Sequence, residues 1–149
     1  MLYSSTSPEG GHRDQVMSLK FSQDGGLLAS SSMEGEIKIC DVPTGDLLKT
    51  IQGGNCTVLA GFHKNNNKLF SGSKDGTIRC WDVATGKELV RLMTFADDEW
   101  LALTPEGYYN ASPNAEKYLR VQTPQGILPI ETHKFHFHRP GIIAERLSR

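Results

Sequence analysis

Cysteine pairs, charge of one sign and long apolar runs are all scarce, and each absence removes a class of function. The sequence has three cysteines and no Cys-x-x-Cys. Three thiols cannot all pair within one chain, so neither a disulfide framework nor a zinc ribbon is expected. A reducing, cytoplasmic compartment fits best. Sixteen basic and 17 acidic residues give a formal net charge of −1. No strong attraction to nucleic acid or to an anionic membrane follows. No apolar run approaches membrane-spanning length. The opening "MLYSSTSPEGG" has neither the basic segment nor the apolar core of a secretory signal. Asn55-Cys56-Thr57 and Asn110-Ala111-Ser112 therefore read as chance matches to the glycosylation pattern.

A phosphate-binding loop is missing too. Gly86-Lys87 follows a run of small residues, but that loop needs a Gly five positions before the pair and Ser or Thr after it. Trp81 and Glu88 stand there instead. Without that Gly the backbone cannot curl around phosphate, and without the hydroxyl the magnesium ligand is lost.

Turn residues and a repeat are what the chain does contain. There are 15 glycines and seven prolines. "GHRDQVMSLKFSQDGGLLASSSMEGEIKICDVPTGDLLKTI" aligns without gaps with "GGNCTVLAGFHKNNNKLFSGSKDGTIRCWDVATGKELVRL". Phe21 matches Phe62, Leu28 matches Leu69, Gly35 matches Gly76 and Ile37 matches Ile78. Asp41-Val42 matches Asp82-Val83, and Thr44-Gly45 matches Thr85-Gly86, at a constant offset of 41 residues. A period in the forties with several short strands points to propeller blades. Doubling the offset pairs Ser22 with Thr104, Gly25 with Gly107, Ala29 with Ala111 and Ile37 with Leu119. "EWLALTPEGYYNASPNAEKYLRVQ" thus reads as a third, drifted copy, with Gln122-Thr123 where the second copy has Trp-Asp.

Strands are legible inside each copy. "EIKIC" and "TIRCW" alternate with period two, as a half-buried sheet strand does. "DLLKTI" and "KELVRL" return after Thr-Gly turns, so Gly86 is expected to supply a permissive turn backbone and Lys87 to sit in solvent.

These residues resemble the WD-repeat β-propeller family. Gly11-His12 opens the first copy in that family's manner and Trp81-Asp82 closes the second. The resemblance implies a hydrogen-bonded set in each repeat. Its members are a His before the first strand, a Ser or Thr in the second, an Asp in the following turn and the Trp. Copy one has His12, but Glu34 at the Asp position and Cys40 at the Trp position. Copy two has Asp75 and Trp81, but Gly53 at the His position. His12, Asp75, Trp81 and Asp82 are the structural residues this implies. Because a partly satisfied polar network stabilises less than a full one, both blades are expected to be less rigid than complete ones. The stretch "EWLALTPEGYYNASPNAEKYLRV", with "FHRPGIIAERL" after it, resembles a segment of large bacterial WD-repeat proteins, some carrying a caspase-like peptidase domain. It implies family membership, not an activity.

No catalytic residue or cofactor is expected. Cys40, Cys56 and Cys80 lie at strand ends or starts and read as small packing residues. "HKFHFHRP" is the most metal-like stretch. As an extended arm it places His136 and His138 on one face and His133, Phe135 and Phe137 on the other. Two ligands fall short of the three or four a zinc site uses. Tyr108 and Tyr109 lack the positive groove of a base-stacking platform, and Asp97, Asp98 and Glu99 read as solvated loop charges. In the tail, Ile142, Ile143 and Leu147 form one apolar stripe of a short helix, with Glu145, Arg146 and Arg149 toward solvent.

The expected fold is all-β: a partial β-propeller of about three four-stranded blades, with a short C-terminal extended arm and helix. Expected segments are 1–10 (N-terminal), 11–52 (first blade), 53–92 (second blade), 93–130 (degenerate third blade) and 131–149 (arm and helix). Closed propellers have about four to eight blades, so a fragment of a longer propeller or part of an assembly is expected. The function this implies is a non-catalytic protein–protein interaction scaffold. Its partner is an unidentified protein or a second copy in a homo-oligomer, with no nucleic acid and no membrane. The alternative is a regulatory arm of a larger caspase-like peptidase signalling protein, its catalytic domain absent from this chain.

Overall fold

The computed structural model describes residues 11–148, so the segment 1–10 lies outside the described residues. The chain divides into two compact units, 1–87 and 88–149. Sheets of antiparallel strands and a short C-terminal helix make up the two units, the all-β partial-propeller class the repeat implies.

In the first unit, β1 (Val16–Phe21), β2 (Leu27–Ser32), β3 (Glu36–Asp41) and β4 (Leu47–Gln52) form one antiparallel sheet in sequence order. β5 (Val58–Phe62), β6 (Lys68–Gly72) and β7 (Thr77–Asp82) form the start of the second repeat. Register follows the 41-residue offset: Leu28 faces Cys40, and Leu69 faces Trp81. The same turn closes both copies. Asp41 accepts hydrogen bonds from the Thr44 amide (3.0 Å) and hydroxyl (2.8 Å). Asp82 accepts the same pair from Thr85 at 2.6 and 2.7 Å. Such side-chain caps fix the turn ahead of the Gly that follows.

Period two gives each sheet two faces. Ala29, Ile37, Ile39 and Ile51 cover one face of the first sheet, and Leu59, Leu69 and Trp81 one face of the second. These residues form one buried core, with Leu27, Phe62 and Val83 packed against it. Burying this apolar surface stabilises the unit by about 25 cal/mol per Å² removed from water. A polar link joins the sheets as well, since the Leu59 amide donates to Ser18 Oγ at 2.7 Å.

In the second unit, β8 (Glu88–Thr94), β9 (Trp100–Leu103) and β10 (Tyr109–Ala111) pair antiparallel. β11 (Arg120–Thr123) and β12 (Gly126–Pro129) form a separate hairpin. Residues 93–130 thus carry four short strands whose hydrogen bonds divide between β8 and that hairpin. Leu101, Tyr109 and Ile130 form the core here, with Met93, Phe95 and Phe137 against it.

The extended arm that the alternation of His and Phe suggests is a helical turn instead. A 3-10 turn at Ile130–Thr132 leads into α1 (Lys134–Phe137). The His133 carbonyl accepts from the His136 and Phe137 amides, so the backbone satisfies itself locally and needs no sheet partner. Phe137 packs on Tyr109 and Ile130, whereas Phe135 is 84% exposed. Four alternating residues are too few to separate the two periods. α2 (Pro140–Ser148) follows, starting at Pro as helices often do. Ile143 is buried, Ile142 and Leu147 are half-buried and Glu145 is exposed, matching the predicted stripe. Arg146 departs from it: its guanidinium donates to the Leu89 carbonyl (3.4 Å) and to Glu106 (2.8 and 3.1 Å). Arg149 lies outside the described residues.

Candidate functional site

Polar groups of the second repeat converge where β7 meets the linker from β4 to β5. Trp81 Nε1 donates to Ser71 Oγ at 2.8 Å, and the ring is 4% exposed. Asp75 accepts from the Thr77 amide (3.0 Å) and hydroxyl (2.6 Å). Arg79 joins this set from the same strand as Trp81. One guanidinium nitrogen donates to the Gly53 carbonyl at 2.6 Å, and the other pairs with Asp75. Burial pushes the Asp75 carboxyl up, but the Thr77 hydrogen bonds and Arg79 outweigh it and hold the group below its ordinary value.

Glycines make room for this clamp. A Cβ on Gly54 would meet Arg79 Nη1 at 2.5 Å, and its φ of +97° strains any L side chain. A Cβ on Gly53 would meet Thr57 and Ile37 below 3.0 Å, so no imidazole fits at that position. Sequence reasoning missed Arg79. The available signal was a base two residues before Trp81 on the same strand face, matched by Lys38 in copy one.

The first repeat arranges the same positions differently. His12 Nε2 lies 2.7 Å from Ser30 Oγ. Its Nδ1 is buried without a hydrogen-bond partner, 4.0 Å from a Glu36 oxygen. Burial first, then Lys38, lowers the imidazole pKa below its ordinary value. Glu34 accepts from the Arg13 amide at 3.2 Å, and Lys38 Nζ sits 3.4 Å from Glu36. His12, Glu34 and Glu36 are the one group of three candidate metal ligands among the described residues, their ligand atoms within 4.8 Å of one another. Lys38 already supplies a cation at Glu36, and an ion-pair cluster describes the group.

His136 and His138 do not come together as the extended arm would place them. On a helical turn, positions i and i+2 point to different sides. His138 forms an isolated bridge with Tyr109, and their rings lie 5.2 Å apart. His133 Nδ1 is 2.7 Å from Thr132 Oγ1.

Other candidate chemistry is taken up by the fold. Cys80 is fully buried, and burial pushes its thiol up to about 11; burial raises Cys40 too. Neither is poised as a thiolate nucleophile. Tyr109 is buried with its hydroxyl donating to Glu116 at 2.9 Å, so Tyr108 and Tyr109 present no paired platform. The loop acids are not simply solvated. Glu99 binds the Ser112 hydroxyl and the Asn114 side chain, and Asp97 binds Lys117 and Tyr118. Among the described residues no helix is long and apolar enough to cross a membrane.

The face of the first sheet turned away from Trp81 carries a cleft of about 390 Å³, lined by Leu19, Phe21, Leu28, Cys40 and Val42. Phe21 is 63% and Leu19 57% exposed.

Comparison with known proteins identifies the repeat. Residues 5–41 and 45–82 match the WD domain, G-beta repeat. COMPASS component SWD3 of Saccharomyces cerevisiae is 37% identical over 125 residues, 80% of this chain and 39% of that protein. CCR4-associated factor 4 of the same species is 30% identical over 144 residues, 93% of this chain and 18% of that protein. The chain therefore spans well under half the length of these relatives. The computationally designed Ika4 protein is similar at 27% identity and a TM-score of 0.46, over 74% of this chain and 72% of that one. The chain belongs to the WD domain, G-beta repeat family.

Proposed function

We propose that this chain is a non-catalytic protein–protein interaction scaffold and one part of a larger assembly. The observation that carries the reading is how the chemistry-bearing groups are used. Asp75, Arg79, Trp81 and Asp82 are spent on hydrogen bonds within the second repeat, and His12 is turned toward Ser30. What remains open is the apolar cleft of the first sheet. His12, Asp75, Trp81 and Asp82 are structural residues in this reading, and the partner binds exposed faces and loops. The relatives' descriptions, a complex component and an associated factor, support a role within complexes.

Native affinity purification of the tagged chain from its own cells tests this. A protein partner at fixed stoichiometry is expected. Peptidase or nucleotide-hydrolase turnover by the purified chain, abolished by one substitution at Cys40, Cys56 or Cys80, would overturn it.

A further inference from the structure

β4 and β8 are equivalent strands at the 41-residue offset. The turns leading into them are the same, with Thr44 capped on Asp41 and Thr85 on Asp82, so the two strands present corresponding edges. β8 takes β9 along one edge: Arg91, Leu92, Met93 and Thr94 pair antiparallel with Leu103, Ala102, Leu101 and Trp100. β4 is the last strand of its sheet, and among the described residues it pairs with β3 alone. Its start is bulged, where the register shifts between Ile39 and Cys40, but over residues 49–52 the register is regular. An edge of this kind presents a row of unpaired amides and carbonyls, a template for one more strand.

The pairing of β8 with β9 also shows what kind of strand fits. Thr50, Ile51 and Gln52 stand at the positions of Arg91, Leu92 and Met93. Opposite Leu92 is the small Ala102, and its neighbours Leu101 and Leu103 point to the other face. Space beside Ile51 is short for a second reason. A Cβ on Gly86 would meet Ile51 Cγ1 at 3.4 Å and Lys49 Cδ at 3.8 Å, so the Thr-Gly turn already lies against that face. A small residue is therefore favoured opposite Ile51. Thr50 and Gln52 are exposed on the other face and leave room for larger side chains. The β4 strand of a second copy does not meet this demand, because its residues on the Ile51 face, Lys49 and Ile51, are both large.

We propose that the open edge of β4 receives an extended segment of a partner protein, added antiparallel to the four-stranded sheet. That segment carries a small residue opposite Ile51 and larger apolar residues opposite Thr50 and Gln52. The proposal rests on the scaffold reading and names the surface through which the partner is held. In strand addition of this kind main-chain hydrogen bonds supply the affinity and alternate side chains the specificity.

A synthetic peptide of this chain's own residues 98–104, DEWLALT, serves as the probe, read by residue-resolved amide exchange of the full chain. Amides within residues 49–52 should gain protection when the peptide is in excess. The same peptide with Ala102→Trp should give none, and Thr50→Asp in the chain should abolish the effect of the original peptide. Thr50 is exposed and lies opposite Lys38, so that variant should keep the wild-type circular dichroism spectrum. No gain at β4 overturns the proposal. A change confined to residues 91–94 overturns it as well, since that pattern is exchange with β9, and so does equal protection by the two peptides. The affinity purification supplies the second arm: a protein partner recovered with the wild type should be lost with Thr50→Asp. A partner that Thr50→Asp retains sinks the β4 edge alone and leaves the scaffold reading intact. A chain that purifies with no protein at all sinks the scaffold reading and the proposal with it, whatever the peptide does.

Discussion

The first and second repeats share one backbone plan and solve its polar problem differently. In the second, Arg79 reaches from β7 to the Gly53 carbonyl and to Asp75, while Trp81 fills the junction and bonds Ser71. In the first, His12 binds Ser30, Lys38 pairs with Glu36, and Cys40 leaves a cleft where the Trp ring would lie. The second-strand serine is met by His12 in one copy and by the Trp81 indole in the other, while Arg79 binds the Gly53 carbonyl and Asp75. The copy with the large ring is covered and the copy without it is open.

Removing the ring should have the largest effect. Trp81→Ala deletes a buried aromatic from the junction and should destabilise by about 3–5 kcal/mol, read as a fall in midpoint on urea unfolding. Cys40→Ala, the equivalent change in the open repeat, should move the midpoint far less. Next comes the clamp. Arg79→Ala strips a charge-assisted hydrogen bond from a buried carbonyl and should cost about 2 kcal/mol. Lys38→Ala removes a longer pair, 3.4 Å from Glu36, with no backbone carbonyl bonded, and should cost about 1 kcal/mol. His12→Ala loses one hydrogen bond and should cost about 1 kcal/mol, measured the same way.

The smallest effect lies in the second unit and depends on pH. Hydrogen bonding to the Arg146 guanidinium holds the Glu106 carboxyl down at about 2, from an ordinary value of 4.5. The folded state favours the ionised form, so this contribution is complete above pH 4.5 and fades as pH falls through about 2. Protection of the α2 amides, relative to their intrinsic exchange rates, should fall across that window, and Glu106→Gln should abolish that fall. Glu106 is half exposed, so solvent screening keeps the effect modest.

Strand and turn positions were legible because they depend on local patterning. Alternation in "EIKIC" and "TIRCW" and the Asp-Val-x-Thr-Gly turns recur at a fixed offset, and β3 and β7 lie where that offset puts them. The C-terminal arm was not legible. Alternating His and Phe over four residues fits either period, and the backbone closed a helical turn. Arg79 was not legible because it stands at no position of the repeat motif. Its guanidinium reaches the Gly53 carbonyl and Asp75 through space that Gly53 and Gly54 leave open. The loop acids were misread for a similar reason, since the partners of Glu99 lie 13 and 15 residues away.

A pair of double-mutant cycles, followed by urea unfolding, tests the clamp most directly. One cycle combines Asp75→Asn with Arg79→Met, and the other combines Glu36→Gln with Lys38→Met. The account predicts a coupling of about 1–2 kcal/mol in the second repeat and under about 0.5 kcal/mol in the first. Equal couplings in the two repeats, or none between Asp75 and Arg79, would contradict the claim that Arg79 clamps Asp75 in the second repeat.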